Sequence, residues 1–196
     1  MLNNAVAVFA APVPPVTNSY ESIATYAVGA GGVSSITFSS IPSTFKHLQV
    51  RALHRTTGSD ATGAFQFWLN NDTASNYSVH QLIGDGSGTG AYGSANQSIL
   101  LASAAYNTLG ALATASSFAV SIIDILDYAD TNKYKTIRSL TGRESNEAAN
   151  GRISYESGSW RSTFAINRID LKTLSGTGGA ANFAQYSHIA LYGIKG

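Results

Sequence analysis

Apolar side chains recur at every second position along most of this chain, in short runs interrupted by Gly, Pro, Ser, Asn and Asp. A period of two puts successive side chains on opposite faces of an extended backbone, so each run reads as a strand with a face to bury. The last third shows the pattern best. In residues 164–174, Phe164, Ile166 and Arg168 share one face, and Ala165, Ile169 and Leu171 share the other. In residues 186–194, Tyr186, Ala190, Tyr192 and Ile194 alternate with Ile189 and Leu191. A Gly/Ala/Ser/Thr loop separates the two runs. This predicts a closing hairpin that locks a β-sandwich, its final strand paired inside a sheet because unpaired termini fray.

Upstream, residues 1–19 read as an extended N-terminal arm. Pro12, Pro14 and Pro15 favour polyproline-like backbone, and Val6, Val8, Phe9, Val13 and Val16 are too apolar for a solvated tail. Such an arm lies along another surface, its own or a neighbouring subunit's. Residues 20–196 then read as a single domain. Residues 20–28 and 33–39 flank a GAGG turn and predict a hairpin. Residues 45–56 form a long strand with Leu48, Val50 and Ala52 inward, followed by strands at 64–70 and 77–83. The Gly-rich stretch 84–93 predicts a flexible loop. Residues 97–102 form a candidate strand, and 104–116 are ambiguous between loop and helical turn. Residues 118–128 are apolar on both faces, which predicts a central core strand. Further strands are expected at 133–142 and 151–157. About ten strands at short spacing predict an all-β fold, a jelly-roll-like antiparallel β-sandwich.

Composition narrows the partners. The 196 residues suit one sandwich domain. Hydrophobic residues make up 44%, enough for a core, while charged residues make up only 12%, about half the usual share. A surface of Ser, Thr, Asn and Gly resists association less than a charged one. This fits a chain packed against copies of itself or a larger assembly. The net charge of +1, with scattered basic residues, leaves no electrostatic footprint for nucleic acid. The absence of cysteine removes thiol chemistry, Cys-based zinc sites and disulfides together. No apolar run reaches membrane-spanning length, since residues 98–117 are broken by Ser103, Asn107, Thr108 and Thr114. The start of the chain lacks the positive n-region of a signal peptide.

No constellation carries recognisable chemistry. The stretch Gly84-Asp85-Gly86-Ser87-Gly88-Thr89-Gly90 has a GxGxxG-like spacing, but no helix pattern follows it, as a dinucleotide site requires. His47, His54, His80 and His188 are isolated, and His47 and His54 fall on opposite faces of one strand. Asp124, Asp127 and Asp130 alternate faces and cannot converge on calcium without a bend. Asp124, inside an apolar run, calls for a basic partner, a hydroxyl or a bulge. No GxSxG elbow exists, and Glu144 and Glu147 sit in a polar loop. No enzyme activity, cofactor or metal is expected. Trp68, Tyr77, Tyr92 and Trp160 read either as a sugar-stacking platform or as core and interface anchors.

Several segments together resemble a family of tailed-bacteriophage virion proteins. Their mark is a short strand, a Gly-rich turn, an I-x-F-x-x-I-P-x-x-F segment and a long strand ending in Arg. Here the segment is Ile36-Thr37-Phe38-Ser39-Ser40-Ile41-Pro42-Ser43-Thr44-Phe45. Trp160, Ala165-Ile166-Asn167-Arg168-Ile169, Asn182-Phe183, Tyr186-Ser187 and the terminal Leu191-Tyr192-Gly193-Ile194-Lys195 extend the likeness across residues 20–196. The arm before Tyr20 is longer than that family's usual start. The resemblance implies a non-enzymatic structural protein of the virion. With the arm, it points to a capsid decoration or cement protein on the head surface, a homotrimer bound to the major capsid protein. The arm contacts would be Val6, Val8, Phe9, Pro12, Pro14 and Pro15. The alternative is a tail-fibre or tail-tip domain that recognises host glycans through Trp68, Tyr92 or Trp160.

Overall fold

A computed structural model describes residues 19–100, 107–147 and 150–196. The strands, in chain order, are β1 (Tyr20–Ala27), β2 (Ser35–Phe38), β3 (His47–His54), β4 (Thr62–Leu69), β5 (Tyr77–Gly84), β6 (Thr89–Gln97), β7 (Thr108–Leu109), β8 (Ala119–Leu126), β9 (Lys135–Arg143), β10 (Arg152–Trp160), β11 (Ile169–Ser175), β12 (Ala180–Ala181) and β13 (His188–Ile194). Eight of them form a large sheet in the order β1-β13-β3-β8-β9-β10-β5-β6. Five form a small sheet, β12-β11-β4-β7, with β2 also paired to β11. All ladders within the two sheets are antiparallel.

The pairings nest. β3 pairs β13, β4 pairs β11, β5 pairs β10 and β8 pairs β9, each pair inside the one before it in sequence. That is the pattern of a two-stranded ribbon rolled over itself, as in a jelly roll. The expected all-β antiparallel sandwich is therefore what the chain forms. Period-two burial follows from it: β3 turns Leu48, Val50 and Ala52 inward, β8 turns in Ile123 and Ile125, and β9 turns in Ile137. These meet Phe65, Phe67, Leu69, Ile169 and Leu171 of the small sheet in one hydrophobic cluster. Phe183, Trp160 and Tyr77 belong to the same cluster.

The structure corrects several local expectations. Residues 20–28 and 33–39 do not form a hairpin. β1 pairs the C-terminal β13, and β2 pairs β11 in the other sheet. The reason lies in the turn: Gly32, at φ +72°, is pressed against the Phe183 backbone, where an added Cβ would lie 2.5 Å from the carbonyl oxygen. Val33 and Phe183 then exchange backbone hydrogen bonds, which steers the chain across the sandwich. The closing hairpin is also absent. β11 folds back on β12, and the chain then crosses to the large sheet, where β13 lies between β1 and β3. The final strand is thus paired on both sides, as expected. The Gly-rich stretch is a tight turn, with Asp85 Oδ1 accepting from Ser87 and Gly88 N–H groups at 3.0 Å each, and β6 begins at Thr89. In the ambiguous stretch, β7 pairs Thr62 and Gly63, and residues 111–116 make non-helical turns. No helix long and apolar enough to cross a membrane occurs among the described residues.

Candidate functional site

The ladder registers line up side chains in rows across the outer face of the large sheet. One row runs Ile122, Leu140, Tyr155, Leu82, Ala91 across β8, β9, β10, β5 and β6. The next runs Leu53, Val120, Gly142, Ile153. Neither stretch contains a charge. Leu53, Val120, Ile122, Leu140, Ile153, Tyr155 and Leu82 are all exposed, from 38% for Ile122 to 59% for Leu82. Five strands about 4.8 Å apart, by two rows, make roughly 350 Å² of apolar sheet face. An apolar patch of that order is often functional, and here it is contiguous and free of charge.

A polar rim borders this platform. Gln49 Nε2 donates to Asp124 Oδ1 at 2.8 Å, and Arg138 Nη2 lies 3.7 Å from Asp124 Oδ2. Asp124 therefore has the basic partner its position called for. Arg51 Nε donates to Gln49 Oε1 at 2.7 Å, and the guanidinium rests on the rings of Tyr20 and Tyr192 at 5.6 and 5.5 Å. The platform escaped sequence reading, although its signal was present. The run at 118–128 does contain the central strand β8 (Ala119–Leu126), yet within that strand only Ala119, Ser121, Ile123 and Ile125 are buried. Apolar residues on the second face of an antiparallel strand, where polar ones belong, were the clue to an open face.

The candidate arm contacts Val6, Val8, Phe9, Pro12, Pro14 and Pro15 lie outside the described residues. The candidate sugar-stacking aromatics do not converge. Trp160 is a core residue at 2% exposure, its indole N–H donating to Asp72 Oδ2 at 2.7 Å and its ring stacked 6.5 Å from that of buried Tyr77. It has no face to offer a sugar. Tyr92 is exposed on β6 at the edge of the large sheet. Trp68 is half-buried on β4 of the other sheet. It lines a polar groove of about 240 Å³ with Asn71, Thr73, Arg168, Asp170 and Lys172, and the Lys172 ammonium sits 5.2 Å from its ring centroid.

Compared with protein-family models, curated proteins and solved structures, the chain matches none. Its chemistry must therefore be read from its own geometry.

One contact imitates a catalytic dyad. His54 Nε2 lies 2.8 Å from Ser121 Oγ, and Nδ1 lies 2.8 Å from Thr108 Oγ1. Both His54 and Ser121 are fully buried, and the imidazole stacks on Phe65 at 4.2 Å. Burial holds the imidazole neutral, its pKa lowered to about 3. No substrate reaches it, so it serves as a hydrogen-bonded core residue. Glu156 is likewise sealed, accepting from Gln81 Nε2 and Ser139 Oγ at 2.9 Å each, and desolvation raises its pKa to about 7. Glu144 accepts from the backbone of Ser145 and Asn146, and Glu147 from Thr114. Asp127 is held by Lys133 and, at 2.9 Å, by Lys46; Lys133 also reaches Asp130 at 3.4 Å. The Lys133 ammonium thus bridges those two carboxylates. Hydrogen bonds from Lys133 and then Lys46 lower the Asp127 pKa to about 2. Among the described residues no group of three or more His, Asp or Glu side chains is placed to hold a metal.

Proposed function

We propose that this chain is a non-enzymatic structural protein of a bacteriophage virion, a capsid decoration or cement protein that binds the head shell as a symmetric oligomer. The observation that carries an assembly role is the uncharged apolar platform on the outer face of the large sheet. Burying it stabilises association at about 25 cal/mol per Å² of apolar surface. The sparse charge of the remaining surface lowers the electrostatic resistance to close packing. The phage assignment rests on the sequence resemblance. The residues that carry it, Ile36, Phe38, Ile41, Phe45, Trp160, Ile166, Ile169, Phe183 and Leu191, are core residues that build the sandwich. Closed symmetry repeats one weak shell contact several times and so gains avidity.

The test is electron cryomicroscopy of the particle that carries this chain, paired with a variant lacking residues 1–19. Copies on the icosahedral shell, and loss of particle binding by a shortened chain whose circular dichroism is unchanged, are the expected results. Copies confined to the tail tip would favour the second reading, a glycan-binding host-recognition domain. The groove beside Trp68, with its amide, hydroxyl, carboxylate and guanidinium groups, is the observation that favours it. Glycan-array binding lost on Trp68→Ala would support that reading.

A further inference from the structure

We infer that the outer face of the large sheet is a two-fold interface whose occupant is a second copy of this chain, packed sheet on sheet. This rests on the assembly reading and names the partner of the platform. Because Ile122, Leu140, Tyr155 and Leu82 stand in cross-strand register, they form one continuous row across the face. Its natural counterpart is another sheet face, since sheets pack about 10 Å apart with interdigitated side chains.

The face is complementary to itself. The sheet has eight strands, and its midline falls between β8 and β9. A two-fold axis along that midline, parallel to the strands, lays the whole face over its mate and keeps each row over itself. Ile122 then meets Leu140 of the other copy, and Leu53 meets Ile153. In the polar row, Asp124 faces Arg138 and Arg138 faces Asp124, so two opposite-charge contacts form at once. At the platform's end, the Arg51 guanidinium comes over the Tyr155 ring, a favourable cation–π placement. Every one of these contacts occurs twice in an isologous pair. Eight strands about 4.8 Å apart and about 24 Å long offer roughly 900 Å² per copy, above the roughly 800 Å² per partner of a standard stable interface. A three-fold ring needs two different complementary surfaces, whereas this face completes itself.

Sedimentation velocity on the full chain, from about 1 to 100 μM, tests the pairing. The expected species has twice the 20.5 kDa chain mass. Leu140→Glu, at an exposed position that leaves the core intact, should weaken pairing at least tenfold without changing the circular dichroism spectrum. Asp124→Arg and Arg138→Asp should each weaken it, and the double exchange should restore it. A wild-type chain that stays monomeric at 100 μM, a trimer, or a pair unaffected by Leu140→Glu would each overturn the inference. Co-sedimentation with virus particles separates the two claims. A monomer that still binds particles overturns the pairing and leaves the assembly reading standing. A pair broken by Leu140→Glu that never binds particles supports the pairing and refutes the decoration role.

Discussion

The guanidinium of Arg55 donates to the carbonyl oxygens of Ala113, Thr114 and Ser117 at 2.8 Å each, and to that of Ala111 at 3.5 Å. One side chain therefore gathers the whole 111–117 turn, which has no apolar period of its own. Arg55 is 9% exposed, and desolvation lowers its pKa. A planar fork with five donors suits this task, and an ammonium on a flexible stem does not. Arg55→Lys should therefore cost about 2–3 kcal/mol in urea unfolding and expose residues 111–117 to limited proteolysis. Unchanged stability together with an uncleaved turn would show that the carbonyls find other partners. The segment could not be read from sequence for the same reason: its order comes from a residue about sixty positions away.

At the scale of the element, a strand was easier to read than its partner. The patterns at 45–56, 64–70, 77–83, 118–128, 133–142 and 151–157 all mark real strands, because a buried face leaves a local record in every second side chain. Which strand lies alongside leaves no such record. β1 finds β13 across the length of the chain, and β2 finds β11. Close backbone approach decides some of these pairings. Gly63 in β4 sits opposite Ser175, where an added Cβ would lie 2.3 Å from the Leu174 carbonyl oxygen and 2.7 Å from Thr56 Cγ2. The first contact is backbone and cannot yield without moving β11. Gly63→Ala should thus destabilise the fold by about 2 kcal/mol or more, read as a lowered melting temperature. A melting temperature within about one degree of wild type would mean that β4 and β11 can separate at little cost.

For the whole molecule, two buried groups pull stability in opposite directions with pH. His54 has its pKa lowered from 6.5 to about 3, so between those values the unfolded chain binds a proton that the folded chain excludes. That contribution to stability is complete above pH 6.5 and is lost as the pH falls. Glu156 has its pKa raised from 4.5 to about 7, desolvation outweighing the Ser139 hydrogen bond and the Arg152 charge. The folded chain then keeps a proton that the unfolded chain releases, and this stabilisation is lost as the pH rises from 4.5 to 7. From pH 4.5 to 6.5 the two slopes cancel. Stability should be flat there and fall by about 2 kcal/mol between pH 4.5 and 3. Aspartates with lowered pKa, such as Asp170 and Asp72, add to the loss below about pH 4. Glu156→Gln should make stability rise with pH across 4.5–6.5, and His54→Gln should make it fall. Denaturant melts at three pH values read these slopes, and a flat response in both variants would contradict the burial of the two groups.

The sequence by itself determined that the chain is an all-β sandwich and where most strands lie. Both follow from local spacing, which extended backbone converts directly into faces. The tertiary structure alone decided that Trp160 is core and offers no stacking face. It also decided that His54 and Ser121 meet in a sealed interior, and that Leu140, Tyr155 and Leu82, from three separate strands, stand in one bare row. Burial and juxtaposition depend on which strands the rolled ribbon brings side by side. That choice is made by contacts between residues far apart in the chain, and no local pattern encodes it.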